Sequence, residues 1–195
     1  MGNIGSVANM LKKIGKKAII SRDPEKIQMA ERLILPGVGA FDRGMEQLEH
    51  LGLIPLLQKR VLEEKIPILG ICLGAQLMLD GSEEGQRKGL SFLSGEVVKF
   101  NIENSNLRVP HMGWTYVKRL KSSGLTDQLP TEPRFYFVHS YHFMFQNNVD
   151  ELLQSEYGYP FCSAFQQDHI MGVQFHPEKS HKFGMALLRN FTEQV

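Results

Sequence analysis

The run Ile66-Pro67-Ile68-Leu69-Gly70-Ile71-Cys72-Leu73-Gly74-Ala75-Gln76-Leu77-Met78-Leu79 is the most apolar stretch of the chain. Pro67 to Ile71 reads as a short buried strand and Leu73 to about Asp80 as a helix, so Cys72 falls at the junction between them. A cysteine placed between two glycines at such a junction has the form of a nucleophile elbow. Glycines at the flanking positions remove the Cβ atoms that would clash in a sharp turn, and the helix start stabilises a thiolate. The competing reading is a small buried hydrophobe, the usual role of a free cysteine. The Gly-x-Cys-x-Gly context favours the nucleophile. The same fourteen residues, broken by Pro67, Gly70, Gly74 and Gln76, are too short and interrupted to span a bilayer.

Working outward, strands and helices alternate. Ile4, Val7, Leu11 and Ile14 recur at helical spacing opposite Lys12, Lys13 and Lys16. Ala18 to Ile20 reads as a short strand, Ser21-Arg22-Asp23-Pro24 as a helix start, and Leu33-Ile34-Leu35 as a second buried strand ended by Pro36-Gly37-Val38-Gly39. Helical stretches follow around Asp42 to His50 and Ile54 to Glu64. From Glu96 the texture becomes strand-like, over Glu96 to Phe100, Thr115 to Lys118, Arg134 to His139, Pro160 to Phe165 and Ile170 to Phe175, before a last helix from Lys182 to Phe191. This order predicts one α/β domain over residues 1–195, an open and mostly parallel central sheet with helices on both faces. A crossover helix packs against the strand it leaves, yet the first helix here follows no strand. Either the chain has an unusual start or one N-terminal strand is absent from it.

Two more loops at strand ends carry chemistry. In Gln174-Phe175-His176-Pro177-Glu178-Lys179-Ser180, Pro177 biases His176 to an extended conformation. In extended chain Glu178 lies on the same side, roughly 7 Å away, where it can hold the imidazole as a base. The bland alternative is a surface ion pair. Gly37 and Gly39 let main-chain N–H groups around Val38 face a ligand, as an oxyanion hole requires, although an ordinary turn has the same composition. All these loops sit at strand C-termini, the edge where open α/β sheets bind ligands. His139 and His142 would face opposite sides of a strand, which argues against a metal site, and core packing is the simple reading for Trp114 and Cys162.

The 195 residues carry 22 Lys+Arg against 21 Asp+Glu, a net charge of +1 that lacks the basic surplus of a nucleic-acid footprint. Cys72 and Cys162 stand ninety residues apart, so neither a disulfide framework nor a Cys-x-x-Cys zinc site is available, and a reducing, cytoplasmic setting without membrane attachment is expected.

With Cys72, His176 and Glu178 in view, the chain resembles the class I glutamine amidotransferases. PGVGAF (36–41), GICLGAQLM (70–78), VPHMGW (109–114), FYFVHSY (135–141) and GVQFHPEKS (172–180) occur in family order. PHMGW and FVHSY are similar to the glutaminase subunit type of imidazole glycerol phosphate synthase. FYFVHSYHF and EKSHKFGMALLRNF are also similar to a sister branch that supplies ammonia for amidino sugars of surface polysaccharides. The resemblance implies Cys72 as nucleophile, His176 as general acid/base and Glu178 as its orienting group, with Gly37, Val38, Gly39 and Leu73 at the oxyanion. It implies Gln76, Glu84, Ser140 and Tyr141 around a bound glutamine, and Asn3, Met112, Trp114, Tyr136 and Lys179 toward a (β/α)8-barrel synthase subunit that receives ammonia through a tunnel. No cofactor and no metal are implied. Family members begin with an apolar strand ending in a tyrosine- and glycine-rich turn, and Met1-Gly2-Asn3 resembles the end of that turn, so the resemblance implies a sheet whose first N-terminal strand is missing and about ten further residues in a full-length form. A catalytically silent scaffold of the same fold is the alternative, and the presence of all three triad residues weighs against it.

Overall fold

Ile68-Leu69-Gly70-Ile71-Cys72 and Ile170-Met171-Gly172-Val173 contain no charged residue because both are inner strands, buried along their whole length beneath helices on two faces. The computed structural model describes residues 4–102 and 107–195. In chain order its elements are α1 (Ile4–Lys13), α2 (Pro24–Gln28), β1 (Leu33–Gly37), α3 (Phe41–His50), α4 (Leu53–Gln58, continued by a π-helical turn, Lys59–Glu63), β2 (Ile68–Cys72) and α5 (Leu73–Gln76). Then come β3 (Gly81–Ser82), β4 (Glu96–Lys99), β5 (His111–Tyr116), β6 (Lys118–Arg119), β7 (Arg134–His139), β8 (Tyr141–Met144), β9 (Glu151–Glu156), β10 (Pro160–Gln167), β11 (Ile170–Val173) and α6 (His181–Glu193).

The nine-stranded main sheet runs β1-β2-β11-β10-β8-β4-β3, with β9 on β10 and β6 on β9. Its core, β1-β2-β11, is parallel, and the flank built on β10, β8 and β9 is antiparallel. Along β2 the strand period sorts the side chains. Leu69 and Ile71 join Val7 and Leu11 of α1 and Phe183, Leu187, Leu188 and Phe191 of α6 in one cluster. Ile68 faces the other way, with Phe41, Met45 and Leu48 of α3 and Leu53 and Leu57 of α4. The expected two-faced α/β architecture is thus observed, its parallel part centred on β1-β2-β11 with one further parallel pair, β4-β3, at the opposite edge. β5 and β7 form a separate antiparallel ribbon, in which Met112 pairs with Val138 and Trp114 with Tyr136. No helix among the described residues is long and apolar enough to cross a membrane.

Two local expectations fail, and two strands have no counterpart in the apolar pattern. Ala18 to Ile20 is not a strand: it pairs with no neighbour among the described residues, and Ile19 and Ile20 lie exposed in irregular chain. Three apolar residues cannot hold an extended conformation without a ladder to bond to. β1 is half-exposed throughout, since β2 is its one ladder partner among the described residues. The strands β8 and β9 were not legible as strands because His142 and Gln154 interrupt their apolar pattern, and hydrogen bonding to β10 supplies what the pattern lacks.

α5 approaches the sheet more closely than side chains permit. A Cβ on Gly74 would stand 1.7 Å from the Leu35 carbonyl oxygen, and one on Gly70 would stand 2.5 Å from the Ala75 Cα. Gly74→Ala should therefore push α5 off β1 and cost about 1–3 kcal/mol or more, read as a lowered urea midpoint together with loss of Cys72 reactivity.

Candidate active site

Adjacent parallel strands end side by side, and that brings three loops together. Gly37 pairs with Cys72, and Ile71 pairs with Val173, so the Pro36–Gly39 loop, the Cys72 turn and the segment from Gln174 to Glu178 leave the same edge of the sheet. Cys72 has φ 53° and ψ −116° and occupies the N-cap of α5. This is a strained conformation for a residue with a Cβ, and it is maintained by the tight seat of Gly70 and Gly74 on either side. The residue is buried, with 8% exposure.

His176 and Glu178 do not stand on one side of an extended segment, as the sequence suggests. His176 is extended, but Pro177–Lys179 turns in a 3-10 helix that folds the Glu178 carboxylate back to the ring, where Nδ1 and Oε1 are 2.8 Å apart. The Lys179 N–H and the Ser180 hydroxyl both donate to the His176 carbonyl, at 3.0 and 2.6 Å, and so fix the turn. Both side chains are almost wholly buried, at 3% and 4% exposure, which removes the surface-ion-pair reading. The other ring nitrogen, Nε2, is buried and has no hydrogen bond of normal geometry among the described residues, and the Cys72 thiol is the neighbour that most favours charge on the ring. Burial opposes charge on this imidazole, but interaction with Cys72 and with Glu178 outweighs it and pushes the pKa up to about 9.

Gln174 was not singled out from the sequence, although it is fully buried and central. Its amide nitrogen lies 3.7 Å from the Cys72 sulfur, and its Oε1 accepts from Gln76 Nε2 at 3.1 Å. The available signal was a polar residue continuing an apolar inner strand two places before His176. Gln76 also reaches the Tyr141 carbonyl, at 3.4 Å. Burial raises the Tyr141 phenol pKa, with the charges of Glu84 and Glu83 adding to it, which brings Glu84 to the same rim. Glu84 further accepts from the Phe41 N–H at 2.9 Å and ties the start of α3 to this loop. Ser140 lies in the bend between β7 and β8, half-buried. In the Pro36–Gly39 loop, Gly39 has φ +104° and Val38 is exposed.

The outer face of the β5–β7 ribbon presents Met112, Trp114 and Tyr136, with Lys179 Nζ 5.4 Å from the Tyr136 ring centroid and Trp114 stacked on His181. Met112 and Trp114 are exposed, so Trp114 is a surface residue and the core-packing reading for it is corrected. Asn3 lies outside the described residues. Tyr136 also accepts the His176 N–H at 2.9 Å, which joins this face directly to the catalytic loop. His139 and His142 do not face opposite sides. Ser140 breaks the strand between them, and both rings turn inward onto Phe100, at 5.2 and 4.8 Å. Cys162 is buried, and burial raises its pKa well above the ordinary value, as befits a packing residue.

A buried cysteine on a strained strand-to-helix turn, with a buried His–Glu pair at the same edge of an α/β sheet, is an arrangement suited to cleaving amides through a thiol. Residues 2–195 match the family model for glutamine amidotransferase class-I, and the chain belongs to that family. It is 54% identical, over its whole length and 96% of the relative, to imidazole glycerol phosphate synthase subunit HisH 2 of Methanococcus maripaludis. It is 46% identical over the same shares to the protein of that name in Pseudomonas aeruginosa. Among solved structures, a crystal structure titled glutamine amidotransferase superposes with a TM-score of 0.77 at 21% identity, covering 98% of this chain and 93% of the other.

Glu178→Gln should lower the His176 pKa and reduce turnover about 10²–10⁴-fold. The linkage has a sign. A pKa raised from 6.5 to about 9 contributes stability that is complete below pH 6.5 and is lost as pH rises through 9. Urea midpoints of the parent chain should fall across that window and flatten in the variant.

Proposed function

We propose that the 195 residues act as one glutaminase domain, the glutaminase subunit of an imidazole glycerol phosphate synthase. It would hydrolyse glutamine to glutamate and ammonia and pass the ammonia to a (β/α)8-barrel subunit. The observation that carries this reading is the buried Cys72, His176 and Glu178 beside an exposed apolar ribbon face whose Tyr136 bonds the catalytic loop. The names of the relatives support the histidine-pathway assignment.

In this reading the Cys72 thiolate attacks the side-chain amide carbon of glutamine. The N–H of Leu73, first in α5, and those of the Gly37-Val38-Gly39 loop receive the developing oxyanion. His176, held by Glu178, gives its proton to the departing nitrogen, and ammonia leaves as the tetrahedral adduct collapses to a glutamyl thioester. Water then attacks the thioester carbonyl while His176 takes its proton. The thiolate departs, and glutamate is released with the proton balance restored. Gln76, Glu84, Ser140 and Tyr141 bind the amino-acid part of the substrate. Ammonia entering bulk water near neutral pH would protonate and lose its nucleophilicity, so transfer calls for a sealed contact with the partner. Met112, Trp114, Tyr136 and Lys179 form the surface suited to that contact, apolar and aromatic as interface centres are.

Glutamate release should be strong only when the chain is mixed with an imidazole glycerol phosphate synthase barrel subunit carrying its ligand, and Cys72→Ser should abolish it, by at least about 10³-fold. Trp114→Ala should weaken complex formation by about 2 kcal/mol, measured by titration calorimetry. Response to a sugar-modifying synthetase instead of the cyclase would move the chain to amidino-sugar supply. Silence with every partner, together with no labelling of Cys72 by an electrophilic glutamine analogue, would leave a scaffold.

A further inference from the structure

His111 and His139 belong to none of the catalytic steps above, yet both are buried, at 2% and 6% exposure, and both are hydrogen-bonded at every ring nitrogen. They stand opposite each other in the β5–β7 ribbon and point away from the exposed face. His139 Nδ1 lies 2.7 Å from the Tyr141 carbonyl oxygen, 2.9 Å separates its Nε2 from His111 Nδ1, and 2.8 Å separates His111 Nε2 from Thr115 Oγ1.

For two neutral rings the chemistry of these atoms permits one proton arrangement. A carbonyl oxygen only accepts, so His139 Nδ1 carries the hydrogen. In the neutral ring Nε2 is then an acceptor, which requires the hydrogen on His111 Nδ1. His111 Nε2 must in turn accept from the Thr115 hydroxyl. A further proton on His111 Nε2 would reverse the last bond, with Thr115 accepting, and one on His139 Nε2 would oppose the His111 N–H unless His111 changed tautomer. Burial lowers the pKa of His111 to about 4 and that of His139 to about 3, so both stay neutral across the physiological range. Phe100, Phe137, Phe161 and Tyr157 enclose the two rings, with Tyr157 stacked on His111 at 4.1 Å.

The far end of this chain of bonds is the glutamine pocket. The Tyr141 carbonyl that receives His139 also receives Gln76, which bonds Gln174, which reaches Cys72. The His139 link spans the Ser140 corner and fixes the angle at which Ser140 and Tyr141 meet the substrate. Thr115 and His111 lie on the inner side of the strand whose outer side carries Met112 and Trp114.

We propose that His111 and His139 are positioning residues, forming a one-directional hydrogen-bond relay that sets the Ser140–Tyr141 corner of the glutamine pocket from the strand that also carries the exposed ribbon face. The relay acts on substrate binding and transfers no proton during turnover. It rests on the glutaminase reading, and its test separates the two.

Long-range ¹⁵N–¹H spectra of histidine-labelled protein, without any partner, should show both rings as neutral Nδ1–H tautomers from pH 8 to pH 5. An Nε2–H tautomer at either ring, or titration near pH 6.5, overturns the relay. In the partner-activated assay, His139→Leu should raise KM for glutamine at least tenfold while kcat changes less than threefold. His139→Asn keeps a donor where Nδ1 stood and should return KM to within threefold of the parent, and His111→Asn should outperform His111→Leu in the same way. Equal KM for parent and His139→Leu, or equal defects in His139→Asn and His139→Leu, overturns the proposal even where a variant is destabilised, because the spectra are taken on the parent chain. A parent chain that releases no glutamate with any barrel partner defeats the glutaminase reading and leaves the tautomer result standing.

Discussion

The close seat of α5 on the β1–β2 edge is the constraint on which the site depends. Gly70 and Gly74 let helix and sheet approach to a distance that no Cβ would tolerate, and that approach forces Cys72 through a positive-φ turn at the end of an inner strand. The thiol is thereby held out at the one edge where the loops after β1 and β11 also emerge. Strand adjacency in a parallel core converts three sequence-distant segments, ending at Gly37, Cys72 and Val173, into neighbours.

Burial acts on the histidines in opposite ways, and the difference decides their roles. His176 is buried beside a thiol and a carboxylate, so the charged form gains more from its partners than it loses in desolvation, and the ring can hold a proton. His111 and His139 are likewise withdrawn from water but have neither a thiol nor a carboxylate on the ring, and desolvation prevails. One residue type in one domain is therefore pushed toward its charged form at one place and toward its neutral form at another. What separates them is the Cys72 thiol together with a carboxylate two residues away in sequence, brought onto the ring by a 3-10 turn.

Much of the active edge was legible along the chain. The Gly-x-Cys-x-Gly turn, the His-Pro-Glu segment and the Gly-rich loop each follow an apolar strand, and alternation of strand and helix suffices to put strand ends on one side. The antiparallel flank was not legible. β8 and β9 are recognisable only through their ladders with β10, and Ala18 to Ile20 shows the reverse case, a strand-like pattern with no ladder to join. Gln174 escaped notice for a related reason: its role depends on Cys72 and Gln76, which lie 102 and 98 residues away.

The sequence by itself determined which reactive residues meet at the site, because a cysteine between glycines at a strand-helix junction and a His-Pro-Glu segment after a strand are specified by residue type and short-range spacing. It also determined the two-faced α/β core, because strand period and helix period are local properties. The tertiary structure decided the Glu178 geometry, the inward turn of His139 and His142 around Phe100, the exposure of Trp114 and the bond network from Thr115 to Cys72. Each of those depends on which distant groups share a buried space, and burial and hydrogen-bond partnership are set by the packed whole, where no short window of sequence can fix them.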